Sequence, residues 1–224
     1  MATTPGRVVI VTGAASGIGR ACADRLAAAG WTVLGADRRT IGGADAAWAS
    51  LVMDVADEHA VRASVSEVLR RHGRIDALVA AAGWGVAGAA EFTPLDDARE
   101  LFETNFWGCV RLVQAVLPQM RKQHSGRILL VSSMAGVVGL PFEAYYSASK
   151  FALEGFGESL AYEVAPFGIT VTLLEPANTA TGFSRRICTE ADTEGVYATA
   201  AARAIKVRAD CPGQALTGAR PRAR

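Results

Sequence analysis

Apolar residues in this chain fall into short unbroken runs, separated by longer stretches in which they recur every three or four positions. The runs cover residues 8–11, 32–34, 51–53, 77–81, 128–131 and 170–174 and are rich in Val, Leu, Ile and Ala. Such runs lack the in-out alternation of a half-solvated strand, so they predict strands covered on both faces. Helical periodicity extends over residues 18–29, 57–71, 95–123 and 144–167, with the third stretch broken or bent near Phe106 to Gly108. Strands and helices in this alternation predict an α/β fold: a doubly wound parallel sheet with right-handed crossovers and helices on both faces. No internal repeat and no Pro- or Ser-rich linker divides the chain.

Length and composition agree with that reading. At 224 residues, half of them apolar, the chain suits one large α/β domain with a substantial core. Its 23 basic and 22 acidic residues leave a net charge of +1, which gives no bulk reason to expect nucleic acid or an anionic membrane as partner. Cys22, Cys109, Cys188 and Cys211 are widely scattered, so reduced thiols are expected, with neither a disulfide framework nor a metal site. The start, Met-Ala-Thr-Thr-Pro-Gly-Arg, lacks the charged-then-apolar signal pattern, and the apolar stretch 77–90 is too short to span a bilayer. The expectation is a soluble, cytoplasmic protein.

Chemistry enters with the glycines. Thr12-Gly-Ala-Ala-Ser-Gly-Ile-Gly19 follows the first strand directly and opens the first helix, the context in which a glycine-rich loop binds a dinucleotide. Gly13 permits a tight turn, Gly17 lets backbone approach a pyrophosphate at the helix N-terminus, and Gly19 allows close packing of helix on strand. Taken alone, such a cluster also suits a turn with no ligand. The second strand ends at Asp37, 24 positions after Gly13. A carboxylate there accepts hydrogen bonds from ribose hydroxyls and repels a 2′-phosphate, which favours NAD. Arg38 and Arg39 follow at once, and either guanidinium would hold the 2′-phosphate of NADP. Asp54, after the third strand, has two readings: an acceptor for the adenine amino group, or a cap for the helix from Asp57.

Tyr146 and Lys150 stand four residues apart in Tyr-Ser-Ala-Ser-Lys, thirteen residues after Ser133. That gap sets a phenol and an ammonium one helical turn apart on the same face, where the positive charge favours the phenolate. A free phenol titrates near ~10, so such help is needed if the group is to exchange protons near neutral pH.

These motifs, in this order from Arg7 to Phe183, resemble the short-chain dehydrogenase/reductase family, and the wording around Phe151-Ala-Leu-Glu-Gly-Phe156 resembles its steroid and retinol dehydrogenase branch. The resemblance implies a Rossmann-like fold and a catalytic tetrad of Asn105, Ser133, Tyr146 and Lys150. Asn105 would bend its helix and anchor a water near Lys150, and Ser133 would orient the substrate oxygen. For the cofactor it implies Gly13, Ser16, Gly17, Ile18 and Gly19 at the phosphates. Asp37, Asp54 and Val55 would lie toward the adenosine, and Ala81 and Gly83 along the fourth strand. Tyr146, Lys150, Pro176 and Thr181 would lie toward the nicotinamide, with a backbone amide of Asn178 or Ala180 beside Thr181. Ser147 and Ser149 read as structural helix-face serines.

Three departures from the family pattern are visible. Ala80-Ala81-Ala82-Gly83 stands where asparagines usually tie the fourth strand to its neighbours, and Ala177 replaces a glycine after Pro176. Residues 184–224 offer a helix at Ala198 to Lys206 but no convincing last strand, which would leave the sixth strand as a sheet edge. The basic end reads as a solvated tail. The expected organisation is a cofactor-binding and catalytic region, 1–183, with a substrate-covering segment and atypical tail, 184–224, in the same domain.

Trp84, Val86, Val137, Val138, Leu140, Phe142 and Phe183 are candidates for an apolar substrate wall, though each also suits a core. The chain therefore reads as an NAD(P)-dependent oxidoreductase acting on a hydrophobic secondary alcohol or ketone. The alternative is a dinucleotide-binding regulatory or scaffold protein without turnover. The resemblance also implies a homo-dimer or homo-tetramer built on the helices from Leu95 and Ala144.

Overall fold

In the computed structural model, residues 6–41, 47–177, 179, 183, 185–188, 192 and 194–210 are described. Six strands form one parallel sheet: β1 (Val8–Thr12), β2 (Thr32–Asp37), β3 (Ala49–Val52), β4 (Ala77–Ala80), β6 (Gly126–Val131) and β7 (Ile169–Leu174). Their order is β3-β2-β1-β4-β6-β7, with the direction of winding reversed between β1 and β4. A second, two-stranded parallel sheet joins β5 (Gly85–Ala87) to β8 (Arg185–Ile187). The helices are α1 (Gly17–Ala28), α2 (Glu58–His72), α3 (Leu95–Phe102), α4 (Gly108–Gln123), α5 (Ala144–Val164) and α6 (Ala198–Asp210).

Both faces of the sheet are buried, which explains the unbroken apolar runs. Val8 and Ile10 of β1 enter a core shared with α2, α4 and α5, where Val65, Leu112 and Leu153 lie. Val9 and Val11 point the other way, into a core with Ala23 of α1 and Trp48. The central strands thus supply alternate residues to two separate interiors.

Hydrogen bonds at the strand starts set the register. Asp76 accepts from the Val8 amide at 2.8 Å and pairs with Arg74 at 2.6 Å, so it holds the start of β1 to the start of β4. Gln123, the last residue of α4, brackets Ile75: its Oε1 accepts from the Ile75 amide and its Nε2 donates to the Ile75 carbonyl, at 3.0 and 2.8 Å.

The sequence reading needs three adjustments. β3 lies at Ala49–Val52 instead of 51–53. Asp57, not Asp54, caps α2, accepting from the Ala60 amide at 3.1 Å. The bend expected near Phe106 to Gly108 is a π-helical turn, Glu103–Trp107, running continuously from α3 into α4. The segment expected to be helical at 198–206 is α6, and within the described residues β7 is an edge of the large sheet. The expected tail, 211–224, lies outside the described residues.

Candidate active site

A cleft of about 610 Å³ opens where the sheet order reverses, at the C-terminal ends of β1 and β4. In open α/β sheets this switch point is where ligands sit. The glycine loop, Asp37, Asp54, Ser133, Tyr146 and Lys150, far apart in sequence, all line it.

The phosphate end is shaped by missing side chains. A Cβ on Gly19 would lie 2.3 Å from the Gly13 carbonyl oxygen, and one on Gly13 would lie 2.9 Å from that of Ala81. Gly13 and Gly17 also have left-handed backbones, φ 66° and 56°. The helix N-terminus that follows carries no side-chain cap, because Ser16 makes no capping hydrogen bond. The first amides of the 12-residue α1 therefore face the cleft with their partial positive charge uncapped, a fit for pyrophosphate. Ser16, Ile18 and Val55 line the same end.

At the adenosine end, Asp37, Arg38 and Arg39 all border the cleft, with Asp37 Oδ1 accepting from the Arg39 amide at 3.4 Å. Asp54 lines it too, its Oδ1 accepting from the Ala56 amide at 2.9 Å.

The alanines of the fourth strand are tied after all, from the neighbouring strand. Thr12 Oγ1 accepts from the Ala81 and Ala82 amides at 3.1 and 3.2 Å and stands 3.5 Å from the Val79 carbonyl oxygen. The cross-strand bond expected to be lost with the asparagines is thus supplied by the residue before Gly13. Gly83 then passes so close to Asn105 that a Cβ would sit 3.0 Å from Oδ1.

Asn105, fully buried in the π-turn, turns its amide toward Trp84. Oδ1 accepts from the Trp84 amide at 3.0 Å, while Nδ2 donates to the Trp84 carbonyl at 2.9 Å and to Ser149 Oγ at 3.3 Å. Ser149 Oγ in turn donates to the Tyr146 carbonyl at 2.8 Å. Ser147 is structural as well, accepting from the Leu140 amide at 3.1 Å.

Ser133 begins the 3₁₀ turn Met134–Gly136, its Oγ accepting from the Ala135 amide at 3.1 Å. On α5, Tyr146 and Lys150 are each 5% exposed. Lys150 Nζ lies 5.9 Å from the Tyr146 ring centroid and donates to the Val131 carbonyl at 2.8 Å. Burial lowers the Lys150 pKa from the ordinary lysine value, against the opposing influence of Cys109 and Glu154. The same burial pushes the Cys109 thiol up to about 11, so it stays protonated. The ring of Phe183 stands edge-on to Tyr146 at 5.8 Å, and Pro176 lines the same end. Thr181, Asn178 and Ala180 lie outside the described residues.

Of the expected substrate wall, Trp84 and Phe183 border the cleft. Val137 and Val138 are exposed just beyond Ser133, whereas Val86, 2% exposed, belongs to the core beneath Tyr146. Phe142 packs edge-on against Tyr197, 6.3 Å away. The cleft also has members that the motifs did not announce: Glu100, Thr104 and Arg186.

Comparison with known proteins agrees with the geometry. The chain matches the short chain dehydrogenase family over residues 7–192 and belongs to it. It is therefore an oxidoreductase of that family, with the Rossmann-like fold, in the steroid and retinol dehydrogenase-like branch. It is 39% identical over 90% of its length to a 3-ketodihydrosphingosine reductase of Bacteroides thetaiotaomicron, spanning 75% of that protein. It is 38% identical over 80% of its length to mouse 17-beta-hydroxysteroid dehydrogenase type 1, of which it spans 56%. A short-chain dehydrogenase from Streptomyces avermitilis superimposes with a TM-score of 0.83 at 37% identity, over 90% of this chain and 78% of that one. Similar solved structures hold NAD+, NADH or NADP. Among the described residues, no helix is long and apolar enough to cross a membrane and no His, Cys, Asp and Glu cluster is arranged to hold a metal ion.

Proposed function

We propose that the chain interconverts a hydrophobic secondary alcohol and the corresponding ketone with a nicotinamide dinucleotide. The observation that carries this reading is the convergence of Ser133, Tyr146 and Lys150 on one cleft with the uncapped glycine loop. The dinucleotide accepts or gives the hydride. Tyr146 exchanges the proton with the substrate oxygen, Ser133 Oγ orients that oxygen, and the Lys150 ammonium favours the phenolate from one turn away. Asn105 positions the set through Trp84 and Ser149.

Gly13, Ser16, Gly17, Ile18 and Gly19 hold the pyrophosphate, and Asp37, Asp54 and Val55 the adenosine. Ala81, Gly83, Lys150 and Pro176 border the nicotinamide half, where the family resemblance also assigns Thr181. Asp37 favours NAD, while Arg38 and Arg39 beside it leave NADP available. An apolar substrate is supported by Phe183 in the cleft and by Val137 and Val138, each about half exposed, which follow the turn that Ser133 begins. Trp107 and Phe151, exposed on the helical run from Leu95 and on α5, support pairing of two copies there.

Fluorescence titration with NADH and with NADPH, followed by turnover of a panel of apolar ketones, tests the reading. Tighter NADH binding and turnover that Tyr146→Phe abolishes are expected. Binding without turnover on any ketone would favour a regulatory dinucleotide-binding protein instead.

A further inference from the structure

The cleft is also lined by an arginine outside every family motif named above, Arg186 of β8. β8 pairs with β5 over three residues, Gly85↔Arg185, Val86↔Arg186 and Ala87↔Ile187, and the Cys188 amide donates to the Ala87 carbonyl at 2.8 Å. An isolated two-stranded ladder this short is not stable by itself in water. Cys188 Sγ attaches it to Asp97 Oδ2 by a 3.4 Å hydrogen bond, and the Arg186 side chain attaches it more extensively. Its Nη1 bonds Asp97, its Nη2 stands 3.1 Å from Glu100 Oε2, and its guanidinium carbon lies 4.7 Å from the Trp84 ring centroid. Asp97 and Glu100 both belong to α3. Trp84 is fixed in turn: Asn105 brackets its backbone, and its indole N–H donates to Thr104 Oγ1 at 3.3 Å. Contacts therefore run unbroken from β8 through Arg186 and Trp84 to Asn105, and on through Ser149 to the Tyr146 backbone.

We propose that Arg186 is a positioning residue for the substrate side of the cleft, holding β8 against α3 and Trp84. Both carboxylates satisfy its charge, so the guanidinium does not serve as an anion site; its flat face covers an indole and its fork binds two acids. A lysine would keep the charge but lacks the planar fork that binds two acids while lying flat on the indole. The kinetic consequence rests on the oxidoreductase reading, whereas the consequence for β8 does not.

Hydrogen exchange on the full chain without cofactor tests the structural half. In Arg186→Gln, the Cys188 amide is expected to exchange about tenfold faster, with partial recovery in Arg186→Lys. The Ser132 amide, bonded to the Leu174 carbonyl at 2.8 Å, should not change. Equal exchange at Cys188 in the unaltered protein and the Gln variant would overturn the proposal, as would an equal rise at Ser132. For a ketone that the unaltered protein reduces, Arg186→Gln should raise KM about tenfold and leave kcat and NADH affinity within about twofold. A fall in kcat at unchanged KM, or lost NADH binding, would place Arg186 at the reacting groups or the cofactor and overturn the positioning role. If no ketone is reduced by the unaltered protein, the proposed alcohol–ketone activity fails and the exchange result still decides what holds β8.

Discussion

Asn105 grips both backbone polar groups of Trp84, accepting from its amide at 3.0 Å and donating to its carbonyl at 2.9 Å. One buried side chain thus replaces the strand partner that Trp84, just beyond the end of β4, would otherwise need. Asn105→Ala leaves both groups and Ser149 Oγ without that partner. A loss of about 1–3 kcal/mol in unfolding free energy is expected, with turnover falling further than the global destabilisation explains. Chemical denaturation compared with kcat at a temperature where both proteins are folded checks it.

Lys150 is buried, and its pKa is lowered first by that burial. A lowered value means that the ammonium gives up its proton at a pH below the ordinary lysine value of ~10.4. Turnover that depends on the ammonium should therefore fall on an alkaline limb beginning below that value. Arg does not deprotonate in this range, so in Lys150→Arg any surviving activity should lack this limb. Rate profiles between about pH 7 and 11 distinguish the two proteins.

Gly19→Ala tests the cradle for pyrophosphate. Its methyl carbon would have to occupy a point 2.3 Å from the Gly13 carbonyl oxygen, so the loop must shift before the phosphates can sit on α1. NADH affinity should drop at least about tenfold, a loss of roughly 1.4 kcal/mol or more. Fluorescence titration reads it, and circular dichroism establishes that the sheet persists.

Asp76 makes an acid-sensitive joint. Burial raises its pKa, but the Arg74 guanidinium and the Val8 amide outweigh burial and hold it below the usual 3.8. Its contribution to stability is thus complete above the unfolded-state value and is lost as pH falls through the lower folded-state value. Asp76→Asn should lower stability at neutral pH by about 1–3 kcal/mol and flatten the acid limb of stability against pH. Urea unfolding at several pH values from neutral down to about 3 measures both effects.

The sheet could be read from sequence because each central strand buries both faces, so Val8, Val9, Ile10 and Val11 form a run that periodicity recognises. β3 was harder to place, since Ala49 and Ser50 are exposed and are held by backbone pairing to Leu34 and Gly35. β5 and β8 left no trace in local pattern: each has three residues, one opens with glycine and the other with two arginines, and their pairing joins positions 100 residues apart. The same physics divides the site. Tyr146 and Lys150 share one helix, so spacing alone places them together. Thr12 as the tie for Ala81 and Ala82, and Arg186 as a neighbour of Trp84, depend on which strands and helices meet, which one-dimensional spacing does not encode.

A π-turn is an α-helical turn with one residue too many, usually accommodated at a local cost in helix stability. In Glu103–Trp107 the surplus is spent inside a helical rod whose two ends, α3 and α4, bury Leu101 and Cys109. Excising one residue would let the rod revert to an uninterrupted α-helix, still apolar on its inner side. Asn105 would then be turned away from Trp84. A single-codon deletion in this stretch would thus produce a protein that folds and is inert, so that length here is as strict a requirement as residue identity.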